Sequence, residues 1–155
     1  MGSQELLQGL VRYCLWIEEP QKKLAYSIPE IANKIESVKI IRQGSDASST
    51  QEYANRPYMF VQRAYQPTDA IIVPSVSSER REYIPIGFVD KETVISNLAF
   101  AVYDAELWLF ALLTSKIHNV WVRTVGGRLK TDYRYSATLC YNTFPFPKIT
   151  KEQRE

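Results

Sequence analysis

The run at residues 105–125, AELWLFALLTSKIHNVWVRTV, constrains this chain more than any other stretch. It is apolar around most of a helical circumference, which predicts a long helix buried at the centre of the molecule. Gly126 and Gly127 follow at the place where helices most often stop. A helix that is apolar all round needs cover on several sides. The other apolar runs are short and rich in branched and aromatic residues, so the cover is expected to be a sheet. At 155 residues the chain is long enough to bury such a core as one domain.

The spacing predicts the remaining elements. Residues 11–18 alternate and read as a strand, stopped by Pro20. Ile28, Ile31, Ile35, Val38 and Ile41 recur at helical spacing, and Pro29 suits a first turn. The polar stretch 44–56 reads equally as weak helix or loop. Residues 58–65 and 70–76 read as strands, and residues 83–89 as another, with Pro85 placing it at an edge or bulge. Residues 77–82, SSERRE, form a turn, and so does DKET at 90–93. Strand character resumes over 94–103, and Asp104 is the expected cap of the long helix. Residues 133–142 read as the last strand, and the two prolines in TFPFPKI allow only extended chain. This order predicts an α+β fold: a mixed, mostly antiparallel sheet packed on a long central helix, over residues 1–150 as a single domain, with a polar tail at 151–155.

Several function classes find no support. Cys14 and Cys140 lie in apolar runs without a second Cys or a His at ligand spacing, so they read as reduced core residues of a cytoplasmic protein, and no metal site is expected. The N-terminus lacks the apolar core of a signal peptide, and no apolar run approaches the roughly 20 residues of a membrane span. His118 is alone, inside the apolar helix, and reads as structural. The nucleophile-elbow and HExxH patterns are absent, and the paired glycines follow a helix, the wrong end for anion capture.

Positive charge beside turns is what remains. Net charge is only +2, so an anion-binding function has to come from local clustering. Arg80 and Arg81 share one turn, and Arg123, Arg128, Lys130 and Arg134 gather around the end of the long helix. Between Trp121 and Ser136, four cations stand against one anion, Asp132. A solvated face at a helix C-terminus would explain the cations. A plain solvent-facing strand would accommodate the carboxylate too, whereas a pure phosphate-binding patch would not, because a carboxylate repels the backbone. Base edges would, because Lys or Arg donates to guanine while a carboxylate accepts from cytosine N4. On an extended strand Lys130 and Asp132 fall on one side, where they address the two halves of one G·C pair.

At these residues the chain resembles a known family. RYCLWI near the start, SSERREYIPIGF in the middle, LLTSKIHNVWVRTVGGRLKTDYRYS and YNTFPFP occur in that order. Together they resemble the target recognition domain of MmeI-like enzymes, single-chain restriction–modification proteins that join a nuclease, an adenine-N6 methyltransferase and a DNA-reading domain. The resemblance implies a module that reads double-stranded DNA in the major groove for the methyltransferase domain of its own parent chain. It implies base-reading roles for Lys130, Asp132 and Arg134. In the family the first two positions vary as a pair, Glu with Arg or Lys with Asp, and the Lys–Asp form here implies a G after the target adenine. Arg63, Arg80, Arg81, Arg123 and Arg128 are candidates for backbone or groove contacts by their charge and turn locations. The Gly-rich cofactor loop and the Asn-Pro-Pro-Tyr type motif of the methyltransferase half are missing, as is the nuclease motif. S-adenosylmethionine is therefore expected in the catalytic domain of the parent, with no cofactor, methylation or cleavage in this chain.

Two other readings stay open on residues alone. The aromatics and basic rim could contact another protein as an interaction or scaffold domain, or His118 could serve a small enzyme.

Overall fold

The computed structural model describes residues 1–150 and Glu152. The rest of the predicted polar tail lies outside the described residues. The chain forms two compact units, one of Met1–Arg12 with Tyr65–Glu155 and the other of Tyr13–Ala64.

The first unit begins with helix α1, Ser3–Gln8, closed by Gly9 in the left-handed region at φ 64°. Glu5 is buried and accepts the Gly2 N–H and an Arg12 guanidinium N–H, each at 2.8 Å.

The second unit is helical. Helix α2, Lys22–Ser27, leads into α3, Pro29–Gln43, which starts at Pro29 as its spacing predicts. Ile35 is buried and Ile31 half-buried against Ala25, Tyr58, Ile17 and Met59, whereas Ile41 is exposed. A short helix α4, Ser48–Glu52, and a 3₁₀ turn, Tyr53–Asn55, occupy the ambiguous polar stretch. Arg42 ties this unit together by donating to the carbonyls of Tyr53, Arg56 and Met59 at 3.0, 3.0 and 2.8 Å. The unit also holds an apolar cavity of about 500 Å³ between Tyr13–Ile17, α3 and residues 57–60.

Two expected strands do not form here. Residues 10–18 and 60–66 contain no helix or strand, and Val11 and Tyr13 are exposed. Alternation and branched side chains suit a strand, but a strand also needs a backbone ladder, and none pairs with these segments. Cys14, expected in the core, is exposed in this irregular stretch, while Cys140 is buried as expected.

The first unit continues with a three-stranded sheet, antiparallel throughout. The central strand β1, Ala70–Pro74, is buried along its whole length. The short strand β2, Val76–Ser77, leaves this sheet for a second one. The edges of the first sheet are β3, Gly87–Val89, and β4, Ala99–Tyr103. Both are shorter than the sequence predicts: Pro85 and the turn at Asn97–Leu98 lie outside the ladder. Ile71 and Val73 face one core and Ala70 and Ile72 another, which explains the unbroken apolar run in β1. The second of these cores is closed by Leu6 of α1.

The long central helix is two helices. Ser115, at ψ 157°, ends α5, Leu107–Thr114, and caps α6, Lys116–Val125, accepting the His118 N–H on its hydroxyl at 3.3 Å. A serine at an N-cap satisfies a backbone donor that a continuous helix would not leave open. Glu106, not Asp104, occupies the N-cap of α5, and Asp104 lies at φ 53°. Leu109, Leu113 and Val122 meet Ile71, Val73, Tyr135 and Cys140 in the main core. After α6 come β5, Gly127–Leu129, and β6, Asp132–Arg134. The expected final strand ends at Arg134, because Ser136 caps a π-helical turn over Ala137–Tyr141. The fold is thus α+β, with antiparallel sheets packed on the α5–α6 pair.

Candidate nucleic-acid interface

Strands β2, β6 and β5 form the second sheet, in that order. Val76 lies opposite Arg134 and Ser77 opposite Tyr133, while Gly127, Arg128 and Leu129 lie opposite Arg134, Tyr133 and Asp132. Lys130 and Thr131 are the two residues of the hairpin turn. Lys130 stands at φ 57°, in the left-handed region that tight hairpins usually fill with Gly, Asn or Asp.

This turn corrects the argument from alternation. One extended strand would carry residues 128, 130, 132 and 134 on one side. Residues opposite each other in a ladder share a face, so Arg128 falls with Tyr133 on one face, and Asp132 with Arg134 on the other. Lys130 belongs to neither row and sits at the tip. Lys130 and Asp132 remain neighbours because the turn between the strands is so short.

The side chains divide by what already occupies them. Lys130 and Arg134 are exposed, with no side-chain hydrogen bond or ion pair among the described residues. Asp132 is half-buried, and its Oδ1 accepts the Glu79 N–H at 3.3 Å. A carboxylate has about four acceptor sites, so one such bond leaves capacity for a partner outside the protein. Arg128 donates from Nη1 to the Thr131 carbonyl at 2.9 Å, and its guanidinium lies 4.0 Å from the centre of the Tyr133 ring. Arg123 lies 5.3 Å from the same ring centre and donates from Nη2 to the carbonyls of Arg81 and Glu82 at 2.9 and 2.7 Å. Tyr133 thus carries two guanidinium contacts, each favourable through the ring quadrupole.

The Arg80–Arg81 turn follows β2 directly, which brings it beside β6. The Arg81 N–H donates to the Ser78 carbonyl at 3.1 Å, and both arginine side chains are exposed. Lys130, Asp132, Arg134, Arg80 and Arg81 are therefore gathered by one small sheet. Arg63 belongs to the other unit, where it pairs with Glu18 at 3.6 Å and lies 5.6 Å from the Trp16 ring centre.

Sequence reasoning missed the supports. Asn119 accepts the Ile84 N–H at 2.7 Å, and the Glu79 N–H finds Asp132. Asn119 and Arg123 stand four residues apart on α6, so the polar stripe across an apolar helix was a readable signal. His118 is fully buried, bonded through Nε2 to the Tyr135 hydroxyl at 3.1 Å, with Phe144 edge-on at 4.7 Å. That environment is structural, as expected. The cavity between Tyr83 and Arg123 measures about 110 Å³, below the roughly 300 Å³ at which small-molecule sites begin. Among the described residues no cluster of metal-ligating side chains occurs, and no helix is long and apolar enough to cross a membrane.

Residues 1–148 match the family described as MmeI, target recognition domain. The chain is 44% identical over 154 residues to DNA methyltransferase A of Bacillus subtilis (strain 168), which covers 99% of this chain and 18% of that protein. It is also similar, at TM-score 0.91 and 38% identity, to the type IIL restriction–modification enzyme MmeI solved in complex with DNA, over 99% of this chain and 21% of that one. The chain spans about a fifth of the length of these relatives.

Proposed function

The chain belongs to the MmeI target recognition domain family, and from that premise we propose that it reads double-stranded DNA by sequence and directs the adenine-N6 methyltransferase domain of a longer parent chain to its site. The observation that supports this reading most is the hairpin tip. Lys130, Asp132 and Arg134 lie together with unspent donors and acceptors, beside the exposed cations Arg80 and Arg81.

In this mechanism the arginines of the 79–82 turn neutralise phosphates and set the register on the duplex. Lys130 donates to guanine O6 or N7, and Asp132 accepts from the N4 amino group of the paired cytosine. Arg134, on the same face as Asp132, reaches a neighbouring pair. The mixed charge then has a purpose: the anion lowers non-specific affinity and favours one base over another. Arg63 is a further backbone contact in this proposal.

Catalysis falls to other parts of the parent. S-adenosylmethionine belongs, in this reading, to the methyltransferase domain. The one strand-to-helix turn of the first sheet, residues 104–106, is Asp-Ala-Glu and holds no glycine to admit a cofactor phosphate or carboxylate closely. The parent works in the cytoplasm, where its DNA is.

Sequencing of modified adenines tests the assignment. In the full-length parent, Lys130→Glu with Asp132→Arg should move methylation to sites with C after the adenine. Each single change should cost roughly 1–3 kcal/mol of discrimination and leave little methylation. An unchanged motif in the double variant would refute the pair's role.

A further inference from the structure

The turn that carries Arg80 and Arg81 has no regular structure of its own, so the direction of its two cations depends on what grips its backbone. Besides Ser78 within the turn, whose hydroxyl accepts the Arg80 N–H at 3.4 Å, three side chains from outside it do. Arg123 Nη2 donates to the Arg81 and Glu82 carbonyls at 2.9 and 2.7 Å. One helical turn earlier, the buried Asn119 accepts the Ile84 N–H at 2.7 Å, while its own amide donates to the Ser115 carbonyl at 2.8 Å. From the hairpin, Asp132 accepts the Glu79 N–H at 3.3 Å. The Arg123 guanidinium also lies over Tyr133, the residue between Asp132 and Arg134. One arginine thus touches the helix, the turn and the reading strand.

We propose that Arg123 is a positioning residue: it fixes residues 79–84, and with them Arg80 and Arg81, against the reading hairpin, and it does not neutralise a phosphate. This rests on the DNA-recognition reading above. The two roles differ in a measurable way. A side chain that neutralises a phosphate releases a counterion and supports every sequence alike, so its loss lowers the salt slope by about one. A side chain that holds the turn leaves the slope intact, and its loss blurs the geometry on which base discrimination depends.

The test uses the full-length parent with Arg123→Met and, as a charge-keeping partner, Arg123→Lys. Arg123 is exposed, so both variants should fold. Two duplexes serve as probes: one carrying the motif that the parent methylates, one of random sequence. Arg123→Met should keep the salt slope on the random duplex and lower the preference for the motif by about tenfold, within the span of one lost base contact. Arg123→Lys keeps charge but lacks the planar fork and the stacking face, so it should lose part of the same preference. Amide exchange across residues 79–84 should speed up in both variants. A slope that falls by about one in Arg123→Met with the preference intact, or unaltered exchange at 79–84, would overturn the proposal. If the unmodified parent shows no preference between the duplexes, the recognition reading itself fails, and the exchange measurement still decides what Arg123 holds.

Discussion

His118 Nε2 and the Tyr135 hydroxyl share a hydrogen bond of 3.1 Å in the main core, one residue beyond the last side chain of β6. Burial holds this imidazole neutral and lowers its pKa from the ordinary 6.5 to about 4. The unfolded chain therefore takes up a proton first as pH falls. The stability from neutral His118 is complete above pH 6.5 and is lost as pH falls from 6.5 toward 4. Between pH 7 and pH 5 the expected loss is about 2 kcal/mol. Urea unfolding at both values measures it, and His118→Gln should flatten the dependence. The same slope in that variant would assign the effect to other groups.

Gly126 and Gly127 should respond differently to a methyl group. Gly126 ends α6 with φ −70° and ψ 150°, a conformation open to any residue, so its identity is about room. A Cβ there would stand 2.4 Å from the Val122 carbonyl oxygen and 3.3 Å from Arg134 O and Cys140 Sγ. A Cβ on Gly127 would meet nothing within 4 Å. Gly126→Ala should cost about 1–3 kcal/mol by overpacking, and Gly127→Ala should stay within about 0.5 kcal/mol. Comparable melting temperatures for the two would contradict the close approach.

In the helical unit, Arg42 holds the 3₁₀ turn Tyr53–Asn55 and the irregular residues that follow it to Met59. Bonds from a charged group are worth about 1.5–3 kcal/mol each before non-additivity, and Arg42 makes three of them to carbonyls. Arg42→Ala should destabilise this unit by about 2 kcal/mol. Amide exchange should rise across residues 53–60 and change little in the sheet of the other unit. Uniform loosening of both units would show that they unfold as one.

The elements that the sequence reveals are those whose signal is local. Pro29 and the Ile31–Ile35–Val38 spacing place α3, and the run Ala70–Pro74 marks a buried strand because both of its faces are covered. Residues 11–18 carry an equally good strand pattern and form none, since pairing depends on a partner far away in the chain. The break at Ser115 is legible afterwards as a cap, but the apolar residues on either side continue the helical pattern across it. At the candidate site, spacing pairs Lys130 with Asp132, and the family resemblance adds Arg134. The hairpin that sets their faces is hidden by Lys130 at a turn position where Gly or Asn is the usual cue. The supports, Asn119 and Arg123, leave one fainter mark in sequence, their four-residue spacing on α6.

That strained lysine gives the sharpest separation of stability from function. A non-glycine residue in the left-handed region costs about 1 kcal/mol or more, and such strain persists where function needs the side chain. Lys130 is exposed and makes no hydrogen bond or ion pair among the described residues, so its side chain returns nothing to the fold. Lys130→Gly should therefore keep the melting temperature or raise it by a few degrees, since Gly enters this conformation freely. On the proposed reading, the same change in the parent enzyme should remove the proposed preference for G after the target adenine, because no donor remains to meet guanine. The two outcomes are measured independently, by thermal unfolding and by sequencing of modified adenines. A variant that melts earlier and still methylates the original motif would mean that Lys130 serves the turn and leaves the reading of that base pair to another residue.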